Sequence, residues 1–273
     1  MSNRQLTSLG LIAGSRSLPL CLAREARAAG IQRLVAVAFE GETDPALVPL
    51  VDEIVWMRVG QLDRMIQAFV TRGIHQCVMV GQIAPSNLFQ LRPDLRAMKL
   101  LLQIQKRNAH SLFSAIGAEL ARDGVELIEA TPWLRTLMPA SGYRVGRELS
   151  AQELADVAYG REVALQVAGL DIGQTVVVKE GAVLAVEGLE GTDACLARGG
   201  DLAGKSGGAV AVKIAKASHD MRFDIPCVGP RTVEACAEHG IRVLAFEAGR
   251  SLLLDREETE RLAVSLKVTL VVP

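Results

Sequence analysis

The chain has 273 residues, room for about two domains with separate cores at roughly 150 residues each. Hydrophobic residues make up 49% but aromatic ones only 4%, so the interior must be aliphatic, and a charged fraction of 22% excludes a disordered or fibrous chain. The 30 Lys and Arg nearly cancel the 31 Asp and Glu, and the net charge of −1 gives no global attraction for nucleic acid; an anionic ligand has to be held by local groups.

At the N-terminus, Arg16 cuts short the apolar run Leu9–Ala13, which reads as a first strand rather than a secretory signal and leads us to expect a cytoplasmic protein. The longest stretch without a charged residue, between Arg72 and Arg92, contains His75, Gln76, Gln82, Pro85, Ser86, Asn87 and Gln90 and cannot cross a bilayer as a helix. From Leu9 to Ile128, β-branched runs alternate with helical patterns, as in a parallel sheet covered by helices. The strands are expected at Leu9–Ala13, Leu34–Phe39, Ile54–Met57, Cys77–Gly81 and Val125–Ile128. After Gly60 the spacing of Leu62, Met65, Ile66, Phe69 and Val70 predicts a helix closed by Gly73. A longer helical stretch, Asp94–Asp123, breaks near Arg107 and Asn108; Arg92, Arg96, Lys99, Lys106 and Arg107 read as its solvated face. This half, residues 1–131, is expected to form a Rossmann-like domain.

Pro132, Pro139, Gly142 and Gly146 then interrupt the periodicity, and residues 132–149 read as a linker. Ser150 and Glu153 form a capping box for a helix with Leu154, Val157, Ala158, Leu165 and Ala168 on one face, and a second α/β domain spans 150–273. A hairpin is expected at Thr175–Lys179 and Ala182–Glu187, further strands at Ala209–Ala215, Val243–Phe246 and Thr269–Val272, and helices near Arg231–Glu238 and Glu257–Lys267.

Two motifs match in letters and fail in context. Gly199 to Ser206 spells a phosphate-binding P-loop and Gly204-x-Ser206-x-Gly208 a nucleophile elbow. Both need a strand before and a helix after, whereas here a short helix leads into an alternating strand. Cys21, Cys77, Cys195, Cys227 and Cys236 form no C-x-x-C pair, and the four histidines form no zinc-hydrolase motif; the cysteines are expected to be small buried hydrophobes.

Two regions keep their chemistry. Gly14 and Ser15 lie in a strand-to-helix turn, and in a sheet of order 3-2-1-4-5 they would neighbour Gly81 and Gln82 at the switch point, a crevice for a nucleotide. Without the glycine fingerprint, a nicotinamide-binding alternative that would use Glu40 is weak. In the second half Lys213, Lys216, Asp220, Arg222 and Asp224 cluster; extended, Asp220, Arg222 and Asp224 point to one side, two carboxylates flanking a guanidinium. That arrangement suits a Mg²⁺ ion and a phosphate together, and a solvated edge strand equally on spacing alone. Glu187, Glu190 and Asp193 form a second acidic group after a strand.

At these residues the chain resembles the LpxI-type UDP-2,3-diacylglucosamine pyrophosphatases of lipid A biosynthesis. The resemblance runs nearly end to end, through Gly10–Gly14 with Leu18-Pro19, Gly60–Leu62, Val78–Gly81, Pro93–Ala97, Asp171–Gln174, Glu190–Ala194, Lys213–Gly229 and Glu247–Gly249 with Leu254–Glu257. It implies hydrolysis of the lipid's pyrophosphate to UMP and 2,3-diacylglucosamine 1-phosphate (lipid X), Mg²⁺ dependence, two domains, contact with the inner membrane as a peripheral protein, and leaves homo-oligomerisation open. It makes Asp220 and Asp224 metal ligands and catalytic groups with Arg222, keeps Glu187, Glu190 and Asp193 as backup ligands, and puts Gly14, Ser15, Gly81, Gln82, Thr192, Lys213 and Lys216 on the substrate. Two departures stand out: Arg16 where relatives tend to have glycine, and Arg107-Asn108-Ala109 where many have acidic residues. A non-catalytic UDP-sugar or lipid binder is the alternative they leave open.

Overall fold

A computed structural model describes residues 6–83, 93–104, 109–215, 220–222 and 225–273, without the side chains of residues 109 and 110. The chain folds into two compact units: Met1–Leu134 with Asp220–Asp224, and Arg135–His219 with Ile225–Pro273. No described helix is long and apolar enough to cross a membrane.

The first unit is built on a parallel sheet of order β3-β2-β1-β4-β5: β1 Ser8–Ala13, β2 Arg33–Phe39, β3 Glu53–Met57, β4 Gln76–Val80 and β5 Glu126–Leu127. This is the expected order, and the aliphatic runs follow from it, since central strands are covered on both faces; Leu9, Leu11, Leu34 and Val35 are fully buried. Helix α1 (Leu18–Ala28) begins after β1, and α2 (Leu62–Val70) packs Leu62, Met65, Ile66 and Phe69 on the sheet beside Val35, Val37 and Cys77. The expected long helix is two, α3 (Leu95–Gln103) and α4 (Ala109–Arg122), and the residues between them lie outside those described. Asp94 caps α3 by accepting from the Ala97 N–H at 2.8 Å and ties it to α2 by accepting from the Asp63 N–H at 2.7 Å.

Arg96 does not belong to a solvated face. Its Nε donates to Glu119 at 2.7 Å and its Nη1 to Asp123 at 2.7 Å and Asp63 at 3.3 Å, clamping α3 to α4 and α2. The bond to Asp123 chiefly, and burial in the opposite sense, set the Arg96 pKa, which is raised. Helical spacing could not separate this half-buried arginine from exposed ones because its partners lie on other helices.

The stretch expected as a linker carries short structure: α5 (Thr131–Leu134) and β6 (Arg144–Val145), which pairs antiparallel with β13 (Thr269–Val271). The second unit's sheet has the order β6-β13-β11-β9-β7-β8, with β7 Thr175–Lys179, β8 Ala182–Val186, β9 Ala209–Lys213 and β11 Ile241–Phe246; β9, β11 and β13 are parallel. A two-stranded pair, β10 (Cys227–Val228) with β12 (Leu252–Leu253), lies outside it. Helix α6 (Ala151–Gly169) covers one face of the sheet; α7 (Thr192–Leu202), α8 (Pro230–Glu238) and α9 (Arg256–Ser265) belong to the other. The cysteines Cys77, Cys195 and Cys236 are buried as expected, whereas Cys21 and Cys227 are only partly so; burial pushes the three buried thiols up to about 12.

The α6 face differs from expectation. Leu154 and Leu165 are exposed, and the buried positions are Asp156, Val157, Gly160, Ala164 and Ala168. Small residues bring the helix close to the sheet: a Cβ at Gly160 would stand 2.7 Å from Val212 Cγ2. Gly199 has the same use in α7, where a Cβ would stand 2.5 Å from Val177 Cβ, and the glycine-rich run passes from that helix into β9, which is neither a P-loop nor an elbow. Asp156 accepts from the Glu180 and Gly181 N–H groups at 2.9 and 2.8 Å and so holds the β7–β8 turn, in which both residues have positive φ.

Two predictions follow from these contacts. Asp156→Ala should lower stability by about 1–3 kcal/mol in urea unfolding, by stripping the turn of its acceptor. The capping box at α6 is fully formed: Ser150 Oγ accepts from the Glu153 N–H at 3.2 Å, and Glu153 accepts from the Ser150 N–H and from Arg147, each at 2.8 Å. Arg147 chiefly, then the Ser150 bonds, hold the Glu153 carboxyl at about 2 against its ordinary 4.5, with burial opposing them. Its contribution is present above pH 4.5 and lost as pH falls toward 2, so the Tm advantage over Glu153→Gln should shrink across that window.

Candidate functional site

In the first unit the turns after β1 and β4 meet as the strand order requires. The Gly14 N–H donates to the Val80 carbonyl at 2.8 Å, and the Ser15 N–H and Oγ donate to the Gln82 carbonyl at 2.7 and 2.8 Å. The approach is close enough to demand glycine: a Cβ at Gly14 would lie 2.6 Å from the Gln82 oxygen, and one at Gly81, where φ is +93°, 2.8 Å from Gly14 C. Gly14, Ser15, Gly81 and Gln82 are therefore brought together, but the Gly14 and Ser15 N–H groups bond the neighbouring turn. Donors for an anion here have to come from the start of α1, which has no acidic residue in its first turn and no side-chain cap. Arg16, exposed beside it, has a φ of +71°, a conformation that favours glycine.

In the second unit, β8, β9, β11 and β13 end at the sheet edge where antiparallel β7 begins, and three separated residues meet there. Glu187 follows β8 and is only 6% exposed, Thr192 opens α7, and Lys213, 7% exposed, ends β9. Lys213 Nζ donates to Thr192 Oγ1 at 3.2 Å, and Thr192 Oγ1 donates to Glu187 Oε1 at 3.1 Å. Thr175, at the start of β7, places its hydroxyl 3.5 Å from that of Thr192. The other oxygen of the carboxylate, Glu187 Oε2, is buried with no hydrogen-bond partner. A buried carboxylate oxygen without a donor costs free energy unless a ligand or ion meets it. Gly173 permits the arrangement, since a Cβ there would stand 2.0 Å from the Glu187 carbonyl oxygen.

The first turn of α7 adds to this edge. Its N-cap is Gly191, with no side chain to cap the helix, and its first residue, Thr192, bonds Lys213, so the uncapped start of α7 lies at the same end of the sheet as Lys213. Asp193 is exposed and 3.9 Å from Arg231. Glu190 bonds Arg198 at 2.6 Å and the Gly188 N–H at 3.1 Å; its own backbone N–H and then Arg198 hold its carboxyl below the usual range. Of the three acidic residues grouped by sequence, only Glu187 joins the buried chain.

Glu247, after β11, lies in a segment that carries the resemblance but was given no site role. It accepts from the Ala215 N–H at 2.9 Å, lies 3.6 Å from Arg161, and with Lys213 and Phe246 lines a pocket of about 150 Å³. An acidic residue directly after a predicted parallel strand was its available signal.

Asp220 and Arg222 belong to the first unit, and residues 221–222 form a turn instead of continuing an extended strand. Arg222 donates through Nε and Nη2 to the two oxygens of Asp220 at 2.8 and 2.6 Å, and its backbone N–H to Oδ1 at 3.2 Å. This pairing, with burial opposing it, raises the Arg222 pKa; Glu129 adds a smaller push. A two-residue ion pair outcompetes the alternation that would have aimed both side chains outward. Lys216 and Asp224 lie outside the described residues. Among the described residues, no three His, Cys, Asp or Glu side chains converge as a metal cage.

Comparison with known proteins matches the family profile of the LpxI N-terminal domain to residues 8–137 and that of the LpxI C-terminal domain to residues 140–271. The chain is 32% identical over 264 residues, 92% of each chain, to the UDP-2,3-diacylglucosamine pyrophosphatase LpxI of Caulobacter vibrioides. Among solved structures, the biotin carboxylase of Campylobacter jejuni matches 73% of this chain and 42% of its own at 12% identity and a TM-score of 0.30. A glycinamide-RNase-transformylase T from Mycobacterium tuberculosis matches 66% and 43% at 16% identity and a TM-score of 0.26. The chain thus spans less than half of either solved chain, and likeness at these scores bears on neither fold nor function.

The strained turn yields one prediction. Arg16→Gly should raise stability by about 0.5–1 kcal/mol in chemical denaturation, by relieving a left-handed conformation at an exposed site.

Proposed function

The chain belongs to the LpxI family, and from that premise we propose that it hydrolyses the pyrophosphate of UDP-2,3-diacylglucosamine to UMP and 2,3-diacylglucosamine 1-phosphate, a step of lipid A biosynthesis. The observation that carries the residue-level reading is the buried chain Lys213, Thr192 and Glu187 beside the uncapped start of α7. Water attacks one phosphorus and the other phosphate leaves, so negative charge has to be held on non-bridging and leaving oxygens. Thr192 accepts one of the three ammonium donors of Lys213, and the rest are directed to a phosphoryl oxygen. The first N–H groups of α7 add further donors without needing to reorganise.

Glu187 has the opposite task. A bare carboxylate would repel the pyrophosphate, whereas Mg²⁺ characteristically takes one or two carboxylates together with substrate phosphates and water. The partnerless Oε2 of Glu187 fits that donor set; Asp220 and Asp224, in the first unit, are proposed as metal ligands on the resemblance alone. When bound, the ion supplies Lewis-acid polarisation of a phosphoryl oxygen. Thr192 fixes the Glu187 carboxylate through Oε1, leaving Oε2 directed to its partner. Arg222 holds the Asp220 carboxylate in place, a positioning role that replaces the direct phosphate contact expected from spacing. Gly14, Ser15, Gly81 and Gln82 shape the turn crevice proposed for the nucleotide. The diacylated substrate places the reaction at the cytoplasmic surface of the inner membrane.

Purified protein given UDP-2,3-diacylglucosamine in detergent micelles with Mg²⁺ should release UMP, and chelation should abolish release. No UMP would leave a binding protein without turnover. Glu187→Gln and Lys213→Met should each lower kcat/KM by about 100-fold or more with folding intact by circular dichroism, and unchanged rates in both would remove this chain from the mechanism. Asp220→Asn and Asp224→Asn test the roles proposed for those two carboxylates in the same assay, and near-normal rates in both would dismiss them.

A further inference from the structure

Helix α3 carries two apolar faces. Ala97 and Leu100 are buried in the core of the first unit, as a surface helix requires. On the opposite side Leu95 is 77%, Met98 47% and Leu102 82% exposed, and at 100° per residue these three fall within an arc of about 60°. Leu101 extends the face on one flank and the exposed Lys99 borders it on the other. Soluble proteins place polar residues on such an arc, so three large aliphatic side chains there call for a partner.

Charge identifies the partner. The sequence from Leu95 to Ala118 contains no Asp or Glu but includes Arg96, Lys99, Lys106 and Arg107, in a chain whose net charge is −1. Arg96 is taken up by Glu119 and Asp123, while Lys99 is exposed beside the apolar arc. An apolar helix face bordered by a lysine, in a stretch of sequence without acidic residues, suits a helix lying in the interface of an anionic bilayer. A second copy of the chain fits less well, because a two-fold contact through a helix this short would bring the like charges of the two Lys99 side chains together.

We infer that the Leu95, Met98 and Leu102 face of α3, with Lys99, docks the protein on an anionic lipid surface. The inference rests on the lipid-pyrophosphatase reading for its purpose, since a diacylated substrate resides in a bilayer, but not for its evidence. Docking would let the protein collect substrate in two dimensions.

The test is sedimentation of the full chain with vesicles of phosphatidylethanolamine and phosphatidylglycerol, or of phosphatidylcholine alone, without substrate. The chain should bind the anionic vesicles and bind the zwitterionic ones more weakly. The double substitution Leu95→Asp with Leu102→Asp should weaken anionic binding by about tenfold or more, and Lys99→Glu should weaken it as well. With detergent-dispersed substrate, the double variant should release UMP within about twofold of the unsubstituted protein, showing that fold and active site are intact. Absence of vesicle binding, or equal binding by the double variant, overturns the inference. So does a dimer in light scattering that the double substitution converts to monomer while vesicle binding is absent. Failure of UMP release by the unsubstituted protein in micelles counts against the enzymatic reading alone, which keeps the two outcomes apart.

Discussion

A lysine and a glutamate, each more than nine-tenths buried, are joined through one threonine hydroxyl at the edge of the second sheet. Burying two charges is costly unless each is compensated, and here the compensation is partial. Thr192 satisfies one oxygen of Glu187, and the other has no donor. Folding has retained an uncompensated acceptor and spare ammonium donors at the same place, which is sensible where a ligand brings both a cation and anionic oxygens. The surrounding architecture serves that arrangement. Three parallel strands deliver their C-terminal ends to one edge, Gly173 lets the Glu187 backbone approach, and Gly191 leaves the first turn of α7 uncapped.

The first unit shows a different economy. Its crevice at the strand reversal is closed by backbone pairing between Ser15 and Gln82, so the turns are rigid before any ligand arrives. Glycine at positions 14 and 81 is demanded by backbone proximity, not by a phosphate. Arg96 fixes the helices on one face of this sheet with three carboxylates, and that clamp holds α3 with its second apolar face outward.

Much of this was legible in the sequence because it depends on local pattern. The five strands of the first unit, the Ser150 capping box, the Glu180-Gly181 hairpin and the failure of the P-loop letters all follow from short-range spacing. What escaped depends on distant partners. The buried face of α6 is set by how closely Gly160 lets the helix approach Val212, so counting large apolar residues selected Leu154 and Leu165 wrongly. Arg96 could not be told from the exposed Lys99 because its partners Glu119 and Asp123 lie in and just after another helix. Asp220 and Arg222 were placed in an extended strand because alternation assumes straight backbone, and their mutual ion pair bends it. Lys213, Thr192 and Glu187 were each singled out, but their union was not, since only the sheet order brings the ends of β8 and β9 to the start of α7.

The resemblance supplied the reaction, and the geometry supplies the division of labour proposed for it: donors from Lys213 and α7, an acceptor from Glu187. A crystal structure with UMP or the sugar 1-phosphate bound tests this most directly. The account predicts a phosphate oxygen at hydrogen-bonding distance, about 3 Å, from Lys213 Nζ and the first N–H groups of α7. A phosphate bound elsewhere, with Lys213 still directed only to Thr192, would contradict it.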